Sequence, residues 1–459
     1  MSRVTFLLMA IITFGCLLNK KKARQNLLFL LSLYFIFNVG WVFYQYTGIM
    51  VVDFPIVALI ILGNISREKF RFFFTEISTP AILLIFWGVV TSLIAIEVGW
   101  ALAELSMILR GYLVFLCVAN HLKKIEDLHS LLKGLTVGII LEFLMSIWQW
   151  RIGPTPLSPF INELYHDWRS SGTFYVPHYL GNYLLLLMPI FFRLFLYYKA
   201  PTKIMNIRYG LLFGISLLTL FLTLARGPWI GFAGSITIVS TLSLIKSKYR
   251  LRAKWAIGLL MLGAGAFLIQ YSTTIIEQFG GGRSDAATIR YDQFRTARRV
   301  IADNLLFGTG LGNYELISPK YVYDYEKADP RSWQFSEMVH NSYYFLAAQL
   351  GIPGIILFFW GAILVFRKGF KAIKSKIPFF SNLSIGIITG FLGLGIAFLA
   401  GPDVKSFQLL VQIGINVGIL IGLNTLERSI REKWMVMNQS ATPQELQAFK
   451  RQMEKSLAY

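Results

Sequence analysis

Apolar stretches of roughly 17 to 25 residues recur along the whole chain, each about the length a helix needs to cross ~30 Å of hydrocarbon. Short charged connectors separate them. A soluble core has no use for so many, and the composition agrees: 55% of the 459 residues are hydrophobic and only 15% charged, against the quarter or so expected of a globular domain in water. The expected fold class is an all-α integral membrane protein. Its spans are predicted near 3–19, 26–46, 49–63, 78–96, 100–120, 131–150, 178–198, 209–224, 228–245, 255–271, 341–366, 382–400 and 407–424. The first and third are short enough to be re-entrant or tilted, so the total is twelve or thirteen. Cys16 and Cys117 both fall in apolar stretches, without the spacing of a disulfide framework or a zinc site.

A net charge of +20 raises the question of a nucleic-acid partner, and the placement of the charge answers it. Basic residues gather in every second connector: Lys20 to Arg24, Arg67 to Arg71, Lys123 with Lys124, Lys199 to Arg208, Lys246 to Lys254 and Arg367 to Lys376. That alternation is the positive-inside pattern, so the surplus reports topology and contact with membrane lipid, and no nucleic acid is expected.

With the basic connectors cytoplasmic, the chain divides into N-terminal spans over 1–150, a first extracytoplasmic loop over 151–177, central spans over 178–271, a large helical extracytoplasmic loop over 272–340, C-terminal spans over 341–424 and a cytoplasmic tail over 425–459. A connector needs only a few residues, so a loop of this second length is expected to carry function.

Candidate residues follow from charge placed where charge is costly. Around Arg290, helical periodicity puts its guanidinium on one stripe with Phe294, Ala297 and Ile301, with Arg295, Arg298 and Arg299 turned away. An arginine on an apolar stripe is either paired, with Asp285 or Glu337, or faces an anionic ligand. Arg226 sits in Leu222-Thr-Leu-Ala-Arg-Gly-Pro-Trp229, where Gly227 suits a tight turn and Pro228 the first turn of the next helix. Its fork suits a phosphate, and snorkelling to lipid headgroups is the alternative. His340 precedes Asn341 and Ser342, either of which can cap a helix. A helix N-terminus favours the neutral imidazole, as a base or as a structural hydrogen-bonding group. Glu104, Arg110 and Glu142 lie inside spans, where they are expected to pair or to line a cavity. The Gly308-Thr-Gly310-Leu-Gly312 run reads as a tight turn and lacks the Lys-Ser/Thr ending of a nucleotide loop.

One pattern is specific. His340-Asn341, nine residues, then Gly351-Ile-Pro-Gly354 resembles the signature His-[Asn/Ser/Gln], nine residues, Gly-x-x-Gly of the bacterial O-antigen ligase and polymerase superfamily. Three further blocks are similar to that family: Arg169-Ser-Ser-Gly-Thr-Phe-Tyr-Val-Pro-His-Tyr-Leu-Gly-Asn-Tyr183, Leu-Ala-Arg226-Gly, and Ile-Arg290 followed by Leu306-Phe-Gly-Thr-Gly-Leu-Gly-Asn-Tyr314. The resemblance covers roughly 165–360, and it departs at Tyr291-Asp-Gln-Phe294, which leaves open whether Arg290 or Arg295 faces the donor.

The resemblance implies a GT-C-like glycosyltransferase of the bacterial inner membrane with its active site toward the periplasm or cell exterior. Its donor would be a glycan on undecaprenyl diphosphate, and its acceptor a sugar, lipid or protein hydroxyl. It implies no metal and no cofactor. His340, Arg226 and Arg290 would carry the chemistry, with Arg169, Asn341, Arg295 and Tyr343 binding substrate. A polymerase of the same superfamily is the alternative, and a polysaccharide transporter or flippase the alternative from another class.

Overall fold

The computed structural model describes residues 3–19, 21–37, 40–44, 47–65, 75–153, 169–198, 202–245 and 284–440, with Lys254 and Gly258. Its helices are α1 (Arg3–Gly15), α2 (Ala23–Tyr34), α3 (Asp53–Ile65), α4 (Ser78–Ser92), α5 (Val98–His121), α6 (Ile125–Arg151), α7 (Pro177–Tyr197), α8 (Lys203–Leu222), α9 (Arg226–Ile245), α10 (Ser284–Asp303), α11 (Ser342–Ile373), α12 (Pro378–Ala397) and α13 (Phe407–Ser440). Single helical turns punctuate 304–341 and 403–405, and an antiparallel hairpin, β1 (Gly40–Tyr44) with β2 (Thr47–Met50), follows α2. The protein is an all-α integral membrane protein.

Among the described residues, α5, α6, α7, α8, α11, α12 and α13 are long and apolar enough to cross a membrane. The sequence predicts more spans, and the differences have physical causes. The apolar runs near 3–19, 49–63 and 78–96 form helices of 13, 13 and 15 residues, short of the ~20 that span hydrocarbon. The run near 26–46 is cut at Tyr34, because Gly40-Trp-Val-Phe-Tyr44 and Thr47-Gly-Ile-Met50 pair as strands. Hydropathy alone does not separate an apolar strand from an apolar helix. The span expected near 255–271 lies almost wholly outside the described residues.

At the centre stands α7, buried on nearly all sides, with Tyr183, Leu184, Leu185 and Leu186 fully enclosed. Lipid offers no hydrophobic drive between helices, so close approach of backbones must supply the packing. Where α5 meets α13, Gly414, Gly418 and Gly422 repeat every fourth residue, and a Cβ on them would strike Gly111, Val118 and Leu122 respectively.

Of the three charges expected inside the helical layer, Arg110 and Glu104 have ionic partners and Glu142 is hydrogen-bonded to a neutral residue. Arg110 of α5 grips Asp53 at the start of α3 through Nε at 2.8 Å and also donates to Ser106 and to the Gly48 carbonyl, tying the hairpin to the bundle. Glu104 lies 3.6 Å from Lys405. Glu142 accepts from the hydroxyl and backbone N–H of Thr173 at 2.5 and 2.9 Å, so it pins the strand of chain that follows Arg169. The expected pairing of these residues is therefore structural.

From α4 onward the long helices alternate in direction, apart from α10. α5, α7, α9, α11 and α13 start at one end of the bundle, and α4, α6, α8 and α12 finish there. Contacts gather the loops of that end: Glu97 N–H donates to Asn313 Oδ1, Ser170 N–H to the Leu222 carbonyl, and Ser342 N–H to the Phe398 carbonyl.

Above this end, α10 and the turns of 304–341 form a small subdomain with its own core of Ala297, Val300, Tyr314 and Val339 against Phe345 and Ala348 of α11. Arg299 forks onto Glu326 at 2.7 and 2.9 Å and also donates to the Tyr321 carbonyl. That hydrogen-bonded fork holds the Glu326 carboxyl below its usual range.

A break in α11 joins the two layers. Gly351 has φ 66° and ψ −172°, a conformation essentially reserved for glycine. Pro353 lacks an N–H, and the break strands the carbonyls before it. Each finds a partner: Thr309 N–H donates to Ala348, Gly310 N–H to Gln349, and Trp87 Nε1–H to Leu350, while Ile352 N–H donates to Leu305. Backbone lies directly on backbone, so a Cβ at Gly351 would strike Leu306, and one at Gly308 would strike Gln349. The Gly-rich run of 308–312 is thus a docking turn, with positive φ at Gly308, Gly310 and Gly312.

Candidate active site

At the start of α11, Asn341 is the N-cap: its side-chain oxygen accepts from the N–H groups of Tyr343 and Tyr344 at 2.9 and 3.1 Å. Ser342, the other candidate cap, instead donates to the Gly401 carbonyl and accepts from the N–H of Asp403. His340, one residue ahead, is thereby fixed at the mouth of the helix beside the loop 398–403.

The imidazole is oriented by Gln293, one helical turn after Arg290. Gln293 Nε2 donates to the Gln334 carbonyl at 3.0 Å, which can only accept, so Oε1 is the atom that meets His340 Nδ1 at 2.8 Å. Nδ1 must then carry the proton, and Nε2 keeps its lone pair. Burial, and then the neighbouring Arg290 charge, hold the His340 pKa down to about 4, partly offset by the Met338 carbonyl. At neutral pH the ring is an uncharged base.

Other groups collect around it. His178, in the first turn of α7, lies within electrostatic reach of Arg169, His340 and Arg290. Its Nε2 is 3.5 Å from Asp403 Oδ1, a contact too long for a good hydrogen bond. Burial raises the Asp403 carboxyl to about 7. Asp403 does not stand out in the sequence, and His178 enters it only as one residue of the Arg169 to Tyr183 block. Their proximity is made by a contact across more than two hundred residues, and the only local hint is a carboxylate in Gly401-Pro402-Asp403 just beyond an apolar span.

Arg226 and Arg169 belong to one turn. Arg169 Nε donates to the Thr223 carbonyl at 3.1 Å, and Ser170 N–H donates to Leu222. Leu224, between Thr223 and Arg226, is the one non-glycine residue at positive φ among those described, 48°, a strained conformation for a bulky side chain. The tight turn expected at Gly227 is therefore made at Leu224. Gly227 lies inside α9 and is needed for space, since a Cβ there would come 3.2 Å from Ala400. Loop 397–401 thus backs the Arg226 turn on one side and Asn341 and Ser342 on the other.

Arg290 is exposed, at the outer end of the helix face whose Gln293, Thr296, Ala297 and Val300 are buried. The remaining candidates lie apart from this group. Arg295 is held by Asp292 and Glu326, both at 3.3 Å, and by the Tyr325 hydroxyl. Tyr343 turns into the bundle, donates to the Gly395 carbonyl and stacks on Phe359. Beside that ring lies an apolar cavity of about 420 Å³ between α4, α5, α11, α12 and α13. Of the aromatic residues in the loops at this end, Tyr175 and Trp333 are exposed and Trp168 lies outside the described residues. Among the described residues, no three His, Cys, Asp or Glu side chains group as metal ligands would.

No curated protein matches the chain. Residues 211–359 match the profile of a family described as O-Antigen ligase. That stretch includes Arg226, Arg290, Gln293 and the whole of His340 to Gly354, while Arg169 and His178 precede it. The similarity to that family covers about a third of the chain, within a helical membrane protein.

Proposed function

We propose that the protein transfers a glycan from a polyprenyl diphosphate carrier to an acceptor hydroxyl on the extracytoplasmic side of the bacterial inner membrane, as a metal-independent ligase. The observation that carries this reading is a neutral imidazole of fixed tautomer within electrostatic reach of Arg290, at the N-terminal mouth of a long apolar helix. The acceptor oxygen attacks the anomeric carbon while the bond from that carbon to the diphosphate oxygen breaks. The electron pair leaves with the diphosphate, and the hydroxyl proton passes to His340 Nε2. Arg226 and Arg290 neutralise the charge that grows on the leaving group. Arg169 anchors the Arg226 turn, and Asn341 caps the helix behind His340. Arg295 and Tyr343 fit less directly, the one serving the outer subdomain and the other the apolar cavity.

The test uses purified protein with a lipid-linked oligosaccharide. Transfer should need an added acceptor, should vanish in His340→Ala with donor binding retained, and should survive chelator. Full activity of His340→Ala would remove the imidazole from the reaction, and chain growth on the donor alone would identify a polymerase.

A further inference from the structure

The opposite end of the bundle has a second concavity, roughly 40 Å from His340 along α11 at ~1.5 Å per residue. Where α5 and α11 finish and α4 begins, these helices and the later part of α13 enclose a cavity of about 950 Å³. Six cationic side chains line it: Lys123, Lys368, Lys371, Lys374, Arg428 and Arg431. Only two carboxylates do, Glu76 and Glu427, and both are engaged, Glu76 with Lys368 at 2.9 Å and Glu427 with Arg431 at 3.4 Å. Arg428 turns to Glu432 at 2.8 Å. Lys371 and Lys374, one turn apart on α11, make no ion pair among the described residues. The C-termini of α5 and α11 contribute only about half a negative charge each, so about two positive charges are left uncompensated.

Basic residues marking the cytoplasmic face need only be solvated, and would spread over the surface. Here they come from three elements and face one hollow. Its walls add the amides of Asn120 and Asn424 and the hydroxyl of Thr425, and its floor is apolar, with Ala119, Leu122 and Ile421. Cations and amides around a rim above an apolar floor match a phosphate-bearing headgroup seated at the edge of a helical bundle. We propose that this cavity binds a phosphate polyanion, delivered as the headgroup of an acidic phospholipid or free in solution. The site is independent of the transfer chemistry at the other end.

The full chain in neutral detergent is titrated with a dianionic phospholipid, a zwitterionic phospholipid and inorganic diphosphate, with binding followed by native mass spectrometry. The dianionic lipid should bind and the zwitterionic one should not. Lys371→Gln with Lys374→Gln should weaken that binding roughly 10- to 30-fold, the effect of two charges beside an anionic headgroup. A control pair outside the cavity, Lys133→Gln with Lys203→Gln, should leave it unchanged. Binding of diphosphate with the same dependence on Lys371 and Lys374 identifies the free anion as ligand, whereas binding of the lipid alone identifies the headgroup. Equal affinity in the two double variants, or equal binding of the zwitterionic lipid, overturns the proposal.

Discussion

A single amide decides what His340 can do. Gln293 fixes the proton on Nδ1, and burial beside Arg290 keeps the ring neutral down to about pH 4. Because its folded pKa lies below the ordinary value of about 6.5, this group favours the folded state above that value. Its contribution is lost as pH falls through 6.5 toward 4. Transfer should accordingly keep its rate well below pH 6 and fail only near pH 4, on a limb read from the pH dependence of kcat/KM. Gln293→Glu places an anion on Nδ1 and should move that limb up by about one to two pH units; an unmoved limb would separate the amide from the imidazole's titration. Arg290→Ala should do two things together, weaken donor binding and raise the same limb, since its charge is among the causes of the depressed pKa. At this scale the sequence was readable for the Asn341 cap and the place of His340 just ahead of it, whose signals are local. Gln293, His178 and Asp403 were not, because each matters through a partner far away in the chain. The stripe on α10 was drawn correctly, yet Arg290 lies at its exposed end, which periodicity cannot distinguish from its middle.

The elements are held by close backbone contacts, and their failures should be specific. Gly351→Ala would place a side chain at φ 66° and against the backbone of Leu306. It should cost about 2 kcal/mol or more, seen as a lower Tm together with protease access to 305–310. A thermally silent variant would mean that the break is tolerated by any residue. The spacing of Gly351 and Gly354 was plain in the sequence, but its cause, three stranded carbonyls answered by Trp87, Thr309 and Gly310, was not. The hairpin at 40–50 escaped notice for a different reason: Trp, Val, Phe, Tyr and Ile raise hydropathy as much in a strand as in a span. Asp53→Asn should also destabilise, by roughly 3 kcal/mol if Arg110 is left charged and without its carboxylate, and Arg110→Met should restore part of the loss in the double variant. No recovery would show that the α3 contact depends on more than the ion pair.

Across the whole molecule, the two ends of the bundle differ in kind. One holds a neutral imidazole beside Arg290, with Arg169 and Arg290 both within electrostatic reach of His178; the other collects lysines around a hollow. The alternation of basic connectors made this polarity visible in sequence, since charge in loops needs no tertiary contact to be read. In a cysteine-free background in right-side-out bacterial cells, Tyr325→Cys should react with a membrane-impermeant maleimide and Lys374→Cys should not, and the reverse labelling would invert the topology.

The interruption at Gly351 has a mechanical consequence. A bilayer that thins or thickens tilts the helices embedded in it, and an unbroken rod would carry that tilt straight to its tip. Here the last two turns of the rod next to His340 are bolted to the outer subdomain through Thr309 and Gly310, while the long remainder pivots below a residue without a side chain. His340 therefore answers to the subdomain packed on it and stays in register while the lipid around the shaft changes thickness.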